Sequence, residues 1–159
     1  MTDPCAEQAA FQELCAYTLT HGDPFFIHQL VVDAWAAQHA DGQTKPIALT
    51  FALLGLYLAV EQGVTGRQVQ RAHMQLGRKK HQWPGLVLPD DRGSMTAADV
   101  MQAPAGPDRD RAIHDWCASV WTAFGRNRET IVNVLNDHGV RLGQTTTTGD
   151  ELSFPESTA

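Results

Sequence analysis

Thiol chemistry is scarce in this chain. Its three cysteines, Cys5, Cys15 and Cys117, include no C-x-x-C pair, so the spacing that builds a thiolate zinc site is missing. Cys5 and Cys15 fall on one predicted helix, about 15 Å apart by helical rise, too far for a disulfide. Free thiols fit a cytoplasmic setting. There is no excess of basic charge either. The net charge is −6, which argues against nucleic acid as the default partner. Long apolar runs are missing as well. The longest, Phe51 to Val60, is too short to span a bilayer, and no basic segment followed by an apolar run opens the chain. Neither a membrane partner nor a signal peptide is therefore expected. There is no G-x-x-x-x-G-K, no strand-borne G-x-G-x-x-G and no serine in a G-x-S-x-G elbow, which removes the phosphate-loop, dinucleotide-fold and serine-hydrolase readings. No segment alternates with period two, so strands are not expected.

What remains is helical pattern. With 159 residues and 43% hydrophobic content, one domain can bury a real core. Asp3 and Pro4 open a helix over 4–20, with Phe11, Leu14, Cys15 and Thr18 facing inward. Asp23 and Pro24 repeat that start for a second helix, 24–40, closed by Gly42. Pro46 opens a third, 46–62, which is apolar nearly all round and therefore reads as the buried centre of a bundle. Gly55 in its middle admits a close neighbour. Thr65 and Gln68 make a capping box for a fourth helix to about Lys80, with Val69, Ala72, His73 and Leu76 inward. Residues 82–95 hold two prolines and two glycines and read as a structured loop. Thr96 and Asp99 start a short helix, 97–102, and a hinge-like link covers 103–107. A helix over 108–124 carries one broad stripe of Ile113, Trp116, Cys117, Val120, Trp121 and Phe124. A last helix spans about 127–138. The polar stretch 143–159 reads as a disordered tail after a helical domain 1–142. It carries Asp150, Glu151 and Glu156 and no base, half of the net charge. The fold class is all-α, a single-domain bundle of five to seven helices around the central helix 46–62.

The second helix also carries a sequence signature. His28-Gln-Leu-Val-Val-Asp33-Ala-Trp35-Ala-Ala-Gln38-His39 resembles the H-x-L-x-V-D-A-Y-x-x-Q-H segment of an uncharacterised bacterial all-helical family, a domain of unknown function. Ala59-Val-Glu61-Gln-Gly63 is similar to that family's L-E-x-G. Trp83, Pro89, Gly93, Thr96 and Val100 are similar to its W-L-x-P-P…G-x-x-T-x-x-D-V-L segment, and Trp116 and Trp121 to a W-x-x-x-x-W. The resemblance covers about residues 20–137. A CPxCG knuckle found at the start of many relatives is absent here, as is a histidine near Ala52. The resemblance implies a fold and no activity.

Candidate chemistry gathers on the second helix. His28 and His39 are eleven residues apart and share a stripe with Val32 and Trp35, but lie about 16 Å apart along the axis, too far to share one metal ion. Either could act as acid, base or metal ligand near neutral pH. Asp33, about 140° round from His28, could orient an imidazole, and Gln38 could hold a polar ligand group. The plainer reading is that Asp33 and Gln38 cross-link helices. His73 could complete a site with His28 or His39, or be a core histidine satisfied by a neighbour. Glu61, disfavoured at a helix C-terminus, calls for an ion pair or a cation. His28, His39, His73 and Glu61 are the metal candidates, for a divalent ion. Trp35 or Trp83 would give an apolar wall. Arg67, Arg71, Arg78, Lys79, Lys80 and His81 read as a solvated helix face before an anion clamp. Cys117 lies in an apolar stripe and reads as inert packing. The functional expectation is a small-molecule enzyme or ligand-processing domain. His28, His39 and Asp33 would be catalytic, Gln38, Trp35, Trp83 and His73 substrate-binding, and the pocket interhelical, with or without a divalent metal. The alternative is a non-catalytic helical module binding a protein or small ligand. A homodimer is compatible with either.

Overall fold

Proline and capping residues set most helix starts in the computed structural model, which describes residues 3–78 and 82–140. Asp3 accepts from the Cys5 amide and Pro4 begins α1, Pro4–Thr20. Pro46 begins α3, Pro46–Glu61. The Thr65/Gln68 capping box opens α4, Gly66–Gly77, and the Thr96/Asp99 box opens α5, Ala97–Gln102. Pro107 begins α6, Pro107–Ala123, and a 3-10 turn, Gly125–Asn127, leads into α7, Arg128–Asp137. With α2, His28–Gln38, these make seven α-helices and no strand among the described residues. The expected tail, 143–159, lies outside them.

The centre is α3. Leu53, Leu54, Leu56 and Leu58 are sealed on every side, as an all-apolar helix requires. It packs against α2, α4, α6 and α7. The stripe on α6 is buried as its spacing predicts, from Ile113 through Phe124. Truncating one of these sealed leucines removes about 2–5 kcal/mol.

The second helix departs from expectation. It begins at His28, not Pro24. The Asp23 carboxylate accepts from the amides of Phe25 and Ile27, so it caps a turn that precedes the helix. Phe26 has φ +56°, which interrupts any helix. The cause is tertiary. Arg67, at the start of α4, donates its backbone amide to the Phe25 carbonyl and its Nε–H to the Pro24 carbonyl. Gly66 lies so close to the Phe26 carbonyl that no side chain would fit there. The start of α4 thus claims carbonyls that a helix over 24–27 would need. The fourth helix also stops earlier than expected, at Gly77. Residues 79–81 lie outside the described part.

Candidate functional site

The C-terminal end of α2 is built from three consecutive commitments. Trp35 lies between two rings: Phe11 of α1 stacks on it at 4.2 Å, and His39 stacks on it at 3.6 Å between centroids. Gln38 is half-buried beside them. Its amide nitrogen donates to the Arg92 and Met95 carbonyls, and its oxygen accepts the Trp116 indole N–H. One side chain therefore ties α2 to the loop and to α6. His39 ends the helix. Its Nδ1–H donates to the Trp35 carbonyl at 3.0 Å, which leaves Nε2 as the acceptor of the neutral ring.

Beside this end lies a groove of about 480 Å³, walled by Glu7, Gln8, Trp35, Gln38, His39, Arg92 and Thr96 and edged by Pro4 and Gly93. Three residues singled out from the sequence, Trp35, Gln38 and His39, meet here. Glu7 and Arg92 are among the wall residues that were not anticipated. Glu7 is 6% exposed. Its Oε1 accepts the Ala97 amide at 2.7 Å, while Oε2 has no partner. A signal for it was present: Glu7 continues the Phe11, Leu14, Thr18 stripe by one step of four, which puts it on the inner face. Arg92 had no such signal. Its guanidinium donates to the carbonyls of Pro89 and Ala40, closing the C-terminal end of α2 where a cation is favoured.

The other candidates sit apart from this groove. His28 lies 2.9 Å from the Thr18 hydroxyl and edge-on to Phe26, and burial pushes its pKa down. His73 donates Nε2–H to the Phe51 carbonyl at 2.8 Å and stacks on that ring, with Trp83 edge-on to Phe51 from the loop. Burial lowers its pKa as well, and the bond to Phe51 partly opposes the shift. Asp33 is enclosed between α2 and α3. Gln29 donates to Oδ1, whereas Oδ2 has no partner and occupies the space a β-carbon on Gly55 would need. Burial raises its pKa well above the usual carboxylate range, against the smaller effect of Gln29. Cys117 is buried nearby, its thiol pushed up by burial and by Asp33. Such a thiol is inert.

The metal candidates do not converge. Glu61 is held by Arg128 Nε at 2.9 Å, which holds its carboxyl below the usual range. His28, His39 and His73 each have a different partner, and no three His, Cys, Asp or Glu side chains among the described residues are grouped to hold a metal ion. In the basic run, Arg67 is spent on Pro24 and lies over the Phe26 ring, while Arg71 and Arg78 are exposed. Lys79, Lys80 and His81 lie outside the described residues. No helix among the described residues is long and apolar enough to cross a membrane.

A family model, described as a family of unknown function (DUF5946), matches residues 2–125. No curated protein and no solved structure matches the chain.

Proposed function

Since the chain belongs to this family of unknown function, we propose its activity from its own geometry: it binds a small molecule in the groove beside the C-terminal end of α2, with His39 as the acid–base group. One observation carries this. Trp35, Gln38 and His39, three residues of one helix end, line a single concavity together with Glu7. Clefts with aromatic walls and a few convergent polar groups are where small ligands bind. His39 suits proton exchange because its Nδ1 is occupied and its tautomer set, leaving Nε2 to accept. Gln38 serves as a positioning residue, since both ends of its amide are engaged by protein. His28, His73 and Asp33 support the fold in this reading, and Trp83 braces Phe51. No metal enters it.

The test is an NMR fragment screen on the full chain with neutral, cationic and anionic aromatic probes. Shifts are expected at the Trp35 indole, the His39 ring and Gln8. His39→Ala should weaken the strongest hits about three- to tenfold, the worth of one aromatic contact. Hits confined to other surfaces, such as the cleft lined by Phe25, Val64 and His114, would remove the proposal.

A further inference from the structure

We infer that the acidic segment 150–156 of this chain docks on the outer face of α4. The charge of the chain is segregated. Between Glu61 and Asp90 there is no carboxylate, while Arg67, Arg71, Arg78, Lys79 and Lys80 all fall there. At about 100° per residue, Arg67, Arg71, Met74 and Arg78 of the α4 region lie within about 60° of one another, on one stripe. Arg71 and Arg78 are exposed, and neither forms an ion pair among the described residues, whose ion pairs involve Arg111 and Arg128. Between them Met74 is 56% exposed. The stripe therefore reads base, apolar, base. Residues 143–159 carry the complement. Asp150 and Glu151, then Leu152 and Phe154, then Glu156 read acid, apolar, acid, with no base among them. Opposite charges in this order fix a register, and Leu152 and Phe154 then cover Met74. The spacings match. The rise from Arg71 to Arg78 is about 10 Å, five extended residues from Glu151 to Glu156 span at most about 17 Å, and the long arginine stems cover the difference. The segment also reaches. Helices α4 and α7 both pack on α3, which keeps their axes within about 20 Å of each other. The chain from Val140 to Asp150 extends to about 33 Å. Joined to the same chain, the segment meets α4 at an effective concentration of order millimolar, so a few weak contacts suffice.

The experiment is methyl and amide NMR on the full chain, with substitutions confined to the segment so that the helical core is untouched. Two variants are compared with the wild type: Phe154→Leu, and the combined Asp150→Asn, Glu151→Gln and Glu156→Gln. Both should move the Met74 methyl signal, the first by removing a ring current and the second by releasing the segment. The combined variant should also move the Arg71 and Arg78 amide signals. The methyl signals of Met95 and Met101, which pack against the core, should stay in place. Raising salt from about 50 to about 500 mM should shift the wild-type α4 signals toward those of the combined variant, since exposed charge pairs are screened. Dilution should leave them unchanged. Met74, Arg71 and Arg78 signals that ignore both variants would overturn the inference. Shifts that fade on dilution would also overturn it, because the segment would then come from a second copy. A short single-stranded oligonucleotide that moves these α4 signals equally in the wild type and in both variants would overturn it too, and would give the stripe to nucleic acid.

Discussion

Asp33 and Gly55 form a matched pair: one supplies a buried carboxyl and the other the room for it. A β-carbon at residue 55 would collide with Asp33 Oδ2. Gly55→Ala should therefore destabilise the chain by about 2 kcal/mol or more, despite its better helix propensity, because the core must open. Urea unfolding of the two proteins checks this. The raised pKa of Asp33 gives a signed pH effect. The folded state holds the proton more tightly than the unfolded chain. That stability is fully present below the unfolded carboxylate pKa and is lost as pH rises from there through the folded value. His28 and His73 act oppositely: their pKa values are depressed by burial, so their share is present above the unfolded histidine value and is lost as pH falls below it. Subtracting the Tm profile of Asp33→Asn from that of the wild type isolates the first effect. The difference should fall steadily as pH rises from about 4, and a flat difference would mean that Asp33 titrates as in the unfolded chain. The sequence marks Asp33 as a polar residue of a flanking face and Gly55 as a point of close approach. It does not join them, because their meeting depends on how α2 crosses α3.

At the scale of elements, six of the seven helix starts follow from local chemistry: Pro4, Pro46, the Thr65 and Thr96 capping boxes, Pro107, and the short turn before Arg128. Only α2 misleads. Its Asp23-Pro24 start is as good as that of α1, but α4 takes the carbonyls of Pro24 and Phe25. Local signals carry no information on a competitor forty residues away. The loop 82–95 depends on similar long-range ties. Asn127 exchanges two hydrogen bonds with Val87, and Gln38 holds Arg92 and Met95. Gln38→Ala would strand the buried Trp116 indole N–H along with two loop carbonyls. A loss of about 2–3 kcal/mol is expected by chemical denaturation. Amide exchange should show the loosening at 92–95 more than in α3.

On the scale of the whole molecule, the all-round apolar pattern of 46–62 makes the central position of α3 legible. Leu54→Ala should cost about 3 kcal/mol, read from the urea midpoint. The site is less legible than the fold. The aligned histidines of α2 suggest shared chemistry, yet His28 turns to α1, His73 to α3, and only His39 borders the groove. Which polar groups converge is decided by how elements far apart in sequence dock, and the partners that matter most, Glu7 and Arg92, come from α1 and the loop. The measurement that bears most directly on the central claim is a crystallographic soak of the full chain with aromatic fragments. The expected result is an aromatic fragment in the groove beside His39. Fragments bound only elsewhere, with this groove holding solvent alone, would contradict it.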